Sequence, residues 1–320
     1  MSKIVVIGGG FGGLSFLQKA RKSDNEFTLI DKTNHHLFQP LLYQVATAVL
    51  SPADITVPIR NLFRNDKNVN ITLSEVVHIN KDKKQVVLKN EDVVDYDQLI
   101  ISTGASYSYF GNDEWGTYAN GLKNINDALD IRDGILKAFE KAENETNKDI
   151  QKKYLNFVVI GGGPTGVELA GSIAEIAFKN ISKEYRNFNS NDSNVYLIEA
   201  GNNILPAYST KLSIKATKYL EKLGVTIKTN EKVENIQEMI VTTDKGKIFS
   251  DNIIWAAGNK ASSLIEHLNT DMDAEGRAII NKDCSIKKDE NIFVIGDAAN
   301  FKDVDGNSLP VSYTHLTLPT

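Results

Sequence analysis

The stretch Lys3–Lys22, "KIVVIGGGFGGLSFLQKARK", decides how this chain is read. A short apolar run, Ile4–Ile7, gives way to glycines, and an amphipathic pattern follows: strand, tight turn, helix. Gly8, Gly10 and Gly13 stand in GxGxxG register. The first glycine permits the turn, the second lets backbone approach a pyrophosphate, and the third lets helix and strand pack closely. A phosphate at such a turn meets free N–H groups and the positive end of the helix dipole. The next apolar run, "FTLID", ends in Asp31, an acid placed to accept hydrogen bonds from ribose hydroxyls.

The pattern then recurs. "NFVVIGGGPTGVELAGSIAEIAF" repeats the register at Gly161, Gly163 and Gly166, and "NVYLIEA" supplies the answering acid, Glu199. Glu199 lies 33 residues after Gly166, against 18 from Gly13 to Asp31, and the insertion "KNISKEYRNFNSNDS" takes up the difference. A carboxylate here favours NADH over NADPH, because a 2′-phosphate would meet it. Such an internal repeat sets the organisation of the whole chain. Two dinucleotide sites imply hydride passing between two cofactors, FAD in the first unit and a nicotinamide in the second. Thr103-Gly104, ending "IISTG", and Gly296-Asp297, ending "FVIGD", fit close approach to a flavin, with Asp297 toward the ribityl chain. Each of these pairs also reads as a turn after a core strand.

Composition narrows the class. The 320 residues are 41% hydrophobic and 24% charged, as in soluble globular domains, and are enough for two cores. A net charge of -5 and a pI near 5.7 argue against nucleic acid as a partner. The lone cysteine, Cys284, cannot form an internal disulfide or a CxxC pair, which fits a reducing compartment. None of His35, His36, His78, His267 and His315 has metal-ligand spacing, so no metal is expected. No apolar run approaches the roughly 18 to 20 residues of a membrane span. "MSKIVVIGGG" is too short in apolar residues for a signal peptide, so the chain is expected to start in the cytoplasm.

The expected fold class is α/β, with two Rossmann-like dinucleotide-binding domains, the NADH domain inserted in the FAD domain. The FAD domain takes 1–120 and 261–310, and the NADH domain takes 121–260, including a linking helix over 125–146 capped by Asn126 or Asp127. "ITLSEVVHIN", "KQVVLKN" and "DQLIISTG" read as a β-meander returning to a core strand. "IKATKYLEKLG" reads as a helix ending at Gly224.

Together these residues resemble the two-dinucleotide-binding-domain flavoproteins of the pyridine nucleotide–disulfide oxidoreductase superfamily. Within it, "NHHLFQPLLYQVATAVLSPADITVPIR", with "GGGPTGVELAG", "LIEAGNNILP" and "WAAGNKAS", resembles the type II NADH dehydrogenases, single-subunit NADH:quinone oxidoreductases. The resemblance covers Lys3 to about Pro310. It implies FAD at Gly8, Gly10, Gly13, Asp31, Thr103, Gly104, Gly296 and Asp297. It implies NADH at Gly161, Gly163, Gly166, Glu199 and Gly258. It places Glu168, in "GPTGVE", near flavin and nicotinamide as the catalytic residue; the other reading is a first-turn acid favoured by the helix dipole. Gln44 and Tyr43 either face the flavin or pack a helix. Relatives that reduce disulfides or oxidise sulfide carry cysteines beside the flavin, and His35–Ala48 has none.

The implied reaction is ping-pong. NADH gives a hydride to FAD, and two electrons then go to a membrane quinone, menaquinone or ubiquinone, without proton pumping. The resemblance further implies a peripheral protein on the cytoplasmic face of the inner membrane and a homodimer. It would be held to the membrane surface by C-terminal amphipathic helices that this chain lacks. Two alternatives are a soluble NADH-dependent reductase of a ferredoxin- or rubredoxin-type acceptor and a non-catalytic NADH-binding redox sensor. Val311–Thr320, "VSYTHLTLPT", has no counterpart in the family. The codons GTC TCT TAT ACA CAT CTG ACG CTG CCG ACG, a common transposase-adapter sequence, translate to these ten residues. The native sequence is therefore expected to end at Leu309 or Pro310, with the rest read-through.

Overall fold

The run Ile4–Ile7 becomes a strand that feeds two cores at once. Ile4 and Val6 point into one apolar cluster and Val5 and Ile7 into another, on opposite faces of the sheet. A strand buried on both faces needs a continuous apolar run rather than alternation, which is what these residues supply. The computed structural model describes residues 1–180, 184–303, 306 and 308–310, so the adapter-like segment 311–320, with Tyr313 and His315, lies outside the described residues. The chain forms two compact units. The first combines Met1–Leu37, Thr56–Ser106 and the residues from Asn259 onward; the second combines Phe38–Ile55 and Tyr107–Gly258.

In the first unit five parallel strands lie in the order Val69–Leu73, Glu26–Asp31, Lys3–Ile7, Gln98–Ile101 and Asp289–Val294. Four further strands, Ser285–Ile286, Ala278–Ile280, Ala299–Lys302 and Ser308–Pro310, extend the sheet beyond Asp289–Val294. Helix Phe11–Ala20 covers one face through Leu14 and Leu17. A three-stranded antiparallel sheet, Val76–Asn80, Gln85–Leu88 and Val93–Asp95, contributes Val76, Ile79, Val86 and Leu88 to the cluster on the other. The stretch expected to open the meander thus divides: "ITL" belongs to the main sheet and "VVHIN" to the small one. Ser74 and Glu75 separate the two strands.

The second unit has five parallel strands in the order Ala119–Gly121, Asn252–Trp255, Asn156–Ile160, Asn194–Ile198 and Val225–Lys228. Helix Pro164–Glu175 follows the central strand, and helix Thr210–Leu223 ends at Gly224, whose φ of 99° is the left-handed conformation that stops a helix. The long helix runs Ile125–Asn144 and is capped by Asn124, not by Asn126 or Asp127. Asp127 is instead the N3 partner: its N–H donates to Asn124 Oδ1 at 3.1 Å and its Oδ2 accepts from Asn124 N–H at 3.1 Å, a capping box. Segment Phe38–Ile55 belongs to this unit, where helix Leu42–Ala46 packs against helices Ile125–Asn144 and Pro164–Glu175. Among the described residues no helix is long and apolar enough to cross a membrane.

Candidate functional site

Each unit brings its candidate residues to the C-terminal edge of its parallel strands, where the chain order reverses and ligands of such sheets bind. In the first unit Gly8 follows Lys3–Ile7, Asp31 ends Glu26–Asp31, Thr103 and Gly104 follow Gln98–Ile101, and Gly296 and Asp297 follow Asp289–Val294. These strands are neighbours, so residues spread over 290 positions of sequence share one edge.

The glycine turn is built by exclusion. Gly8 has φ 102°, and a Cβ there would collide with the Ser102 carbonyl. A Cβ on Gly13 would collide with the Gly8 carbonyl, so helix and turn touch backbone to backbone. At Gly10, the N-cap of helix Phe11–Ala20, nothing lies within 4 Å of where a Cβ would stand. That open position sits before a helix with no acidic residue in its first turn, and it fits an anion close to the backbone. Asp31 Oδ2 accepts the N–H of Gly9, while Oδ1 takes the Thr33 N–H at 2.6 Å and the Thr33 hydroxyl at 2.7 Å. Gly104 (φ 65°) and Gly296 (φ 71°) also leave open space. The Thr103 hydroxyl is buried without a hydrogen-bond partner. Asp297 is exposed. A buried orphan hydroxyl at the mouth of an open glycine cradle fits a dinucleotide such as FAD, which brings acceptors of its own.

Three residues of this site carry no flag in the motif reading. Ser102 donates its hydroxyl to the carbonyls of Ile7 (2.9 Å) and Gly8 (2.8 Å), locking the turn to the adjoining strand. Thr33 fixes Asp31, as above. His36 Nδ1 lies 3.1 Å from the Gly9 carbonyl, and its ring meets Phe11 edge-on at 4.9 Å. The available signal is the "HH" of the "NHHLFQP" block for His36. For Ser102 it is the repeat itself, since Ser102-Thr103-Gly104 stands where Ala256-Ala257-Gly258 stands in the second unit.

The second unit reproduces the cradle. Gly161 has φ 111°; a Cβ on Gly166 would collide with the Gly161 carbonyl, and Gly163 faces open space. Glu199 Oε2 accepts the Gly162 N–H at 2.7 Å and Oε1 the Gly201 N–H at 2.6 Å. Gly258 (φ 70°) follows strand Asn252–Trp255 but is closed in, since a Cβ there would stand 2.7 Å from the Ser108 carbonyl and 2.8 Å from Phe110. The edge therefore holds Gly161, Gly163, Gly166, Glu199 and Gly258 together.

Glu168 is the fifth residue of helix Pro164–Glu175, beyond the first turn, so the helix-dipole reading does not apply. Its side chain reaches solvent, yet the protein around it strips enough hydration to push its pKa above the ordinary glutamate value. Gln44 lies on helix Leu42–Ala46, which packs on Glu168's helix. Its amide donates to the Tyr43 hydroxyl at 3.0 Å. The second unit thus holds both Glu168 and the Tyr43–Gln44 pair.

The sequence matches the pyridine nucleotide-disulphide oxidoreductase family over residues 2–314. It is 42% identical to a type II NADH:quinone oxidoreductase, NdhA, of Mycobacterium tuberculosis, over 92% of this chain and 66% of the relative. It is 40% identical to a second from the same organism, Ndh, over 95% of this chain and 68% of the relative. Among solved structures, NDH2 from Plasmodium falciparum in complex with NADH superposes with a TM-score of 0.86 at 28% identity, covering 94% of this chain and 65% of that one. The chain spans about two thirds of the length of the curated relatives it matches.

Proposed function

The chain belongs to the pyridine nucleotide-disulphide oxidoreductase family, and from that premise we propose that the protein is a type II NADH:quinone oxidoreductase. The observation that carries the reading is the duplicated cradle: two sheets, each with a glycine turn, an open second glycine and an acid holding the turn. FAD, when bound, supplies the redox chemistry, taking a hydride from NADH and passing two electrons to a quinone.

The chain's own residues bind and orient. In the first unit the helix N-terminus after Gly10 would hold the FAD pyrophosphate, and Asp31 would accept ribose hydroxyls. Thr103 would find its partner on the flavin, and Asp297 would take the ribityl hydroxyls. In the second unit Gly161, Gly163 and Gly166 would cradle the NADH pyrophosphate and Glu199 its ribose, with Gly258 closing the same edge against Ser108 and Phe110. Glu168, solvent-reaching and with its pKa raised above the ordinary glutamate value by lost hydration, is suited to exchange a proton, and Gln44 beside Tyr43 offers an amide on the helix packed against its own. The acceptor is menaquinone or ubiquinone. The protein works as a homodimer, peripheral on the cytoplasmic membrane face.

The test is stopped-flow reduction of bound flavin by NADH, then reoxidation by a soluble quinone analogue. Bleaching and recovery support the proposal. NADH binding without bleaching would make the protein a sensor, and reoxidation by ferredoxin or rubredoxin alone would make it a soluble reductase. Glu168→Gln should slow reduction about a hundredfold, at the low end of acid–base effects. It should also remove a limb of the pH–rate profile lying above the ordinary glutamate pKa; an unmoved profile would take Glu168 out of the mechanism.

A further inference from the structure

A second carboxylate stands beside Glu199 that the site described above does not use. Strand Val225–Lys228 runs parallel to Asn194–Ile198, with Lys228 opposite Ile198. The Glu199 N–H donates to the Lys228 carbonyl at 2.8 Å, and the Glu231 N–H donates to the Glu199 carbonyl at 3.2 Å. Lys228 and Glu231 are thereby tied to the acid's own backbone. Glu231 is 4% exposed. Its Oε1 accepts the Thr243 hydroxyl at 2.8 Å, and its Oε2 lies 3.4 Å from Lys228 Nζ. Two further cations lie close in the chain or the fold: Lys232 follows Glu231 in sequence, and Lys245 is committed to the Thr229 carbonyl at 3.2 Å.

A carboxylate this buried is costly to desolvate, and a buried ion pair is often no more stable than an apolar replacement. Stability alone therefore gives no reason for it. The Lys228 backbone adjoins that of Glu199, and an ammonium not already paired is what a 2′-phosphate seeks. We propose that Glu231 is a second determinant of coenzyme choice: its buried carboxylate holds the Lys228 ammonium, so that the ribose edge at Glu199 stays hostile to a 2′-phosphate. This rests on reading the second unit as a nicotinamide site.

Glu231→Gln keeps the shape and an acceptor for Thr243 and removes only the charge that holds Lys228. The chain's two tryptophans, Trp115 and Trp255, both lie in the second unit, so quenching of their emission by NADH and by NADPH reads each affinity. The ratio of the two dissociation constants should move about tenfold toward NADPH, the scale of one charge pair at a partly solvated site. Adding Lys228→Gln to that variant should restore the original ratio. Glu231→Asp draws the carboxylate back by about 1.5 Å, one C–C bond, and should shift the ratio the same way by a smaller factor. It carries the test if the glutamine variant does not fold. A ratio within twofold of wild type in a folded variant overturns the proposal, as does a double variant that stays shifted. A wild-type protein quenched by neither coenzyme sinks the nicotinamide reading first, and this inference with it.

Discussion

The two dinucleotide units share a backbone and differ in what lines it. Gly8 and Gly161 donate to Ile30 and Ile198 at 2.9 and 2.8 Å, and Leu14 and Val167 return to Gly10 and Gly163 at 3.1 and 3.0 Å. The middle glycine of each turn donates to the acid two strands' edges apart in sequence but adjacent in space. After the next parallel strand the units part. The first carries Ser102 and Thr103, one hydroxyl gripping the turn and one buried without a partner; the second carries Ala256 and Ala257. Gly104 opens onto empty space where Gly258 is shut in by Ser108 and Phe110. Geometry common to both is fixed by what has no side chain, and the difference is written in the two residues before the last glycine.

The strongest way to break this symmetry is to fill the shared contact. Gly13→Ala and Gly166→Ala each place a methyl into a carbonyl oxygen, an overpacking of typically about 1–3 kcal/mol on the fold and a displaced turn besides. Gly13→Ala should yield protein without flavin absorbance. Gly166→Ala should keep its flavin and lose NADH quenching of Trp255. The reverse pattern, or loss of both ligands in both variants, would show that the units do not divide the cofactors this way. Next in size is Glu199→Gln, which removes the charge facing a 2′-phosphate; the ratio of kcat/KM values for NADPH and NADH should rise roughly tenfold. An unchanged ratio would defeat the assignment of Glu199.

The orphan hydroxyl gives a smaller and more pointed test. Thr103→Val is nearly isosteric and removes a buried donor that the free protein leaves unpaired. If flavin supplies the partner, the variant should bind FAD about fivefold more weakly, roughly 1 kcal/mol, while the flavin-free protein melts no lower than wild type. A flavin-free protein that melts lower would assign Thr103 to the protein's own packing instead.

How much of this was legible in the sequence follows from which contacts are local. Gly8, Gly10, Gly13 and Asp31 were readable because turn, helix and answering acid lie within one βαβ unit, and the same holds for Gly161 to Glu199 despite the longer insertion. Thr103, Gly104, Gly296 and Asp297 were found as strand ends, and the parallel register alone brings them to the same edge. Ser102 is not legible, because a serine in "IISTG" looks like any small residue until the carbonyls it bonds are placed 94 and 95 positions away. The cap of helix Ile125–Asn144 is not legible locally because Asn124, Asn126 and Asp127 lie within four positions, and only the reciprocal Asn124–Asp127 bonds choose between them. Segment Phe38–Ile55 carries no local signal that its helix packs against Ile125–Asn144, so its place in the second unit emerges only from tertiary contacts.

The finest test exchanges the hydroxyl between the units. Ser102→Ala gives the first turn the second turn's lining and leaves the Gly8 carbonyl without its side-chain donor, at a cost of about 1 kcal/mol. Ala256→Ser does the converse, offering a hydroxyl to the Ile160 and Gly161 carbonyls by the same register, since Ala256 N–H already meets the Ile160 carbonyl at 2.8 Å as Ser102 N–H meets that of Ile7. Tryptophan emission reports unfolding of the second unit, and flavin release reports the first. Ser102→Ala should therefore release flavin at a temperature lower by a few degrees with the tryptophan transition in place, and Ala256→Ser should leave flavin release in place. If Ser102→Ala moves neither transition, the Gly8 turn is held by the strand register alone, and the lining difference belongs to the ligand and not to the fold.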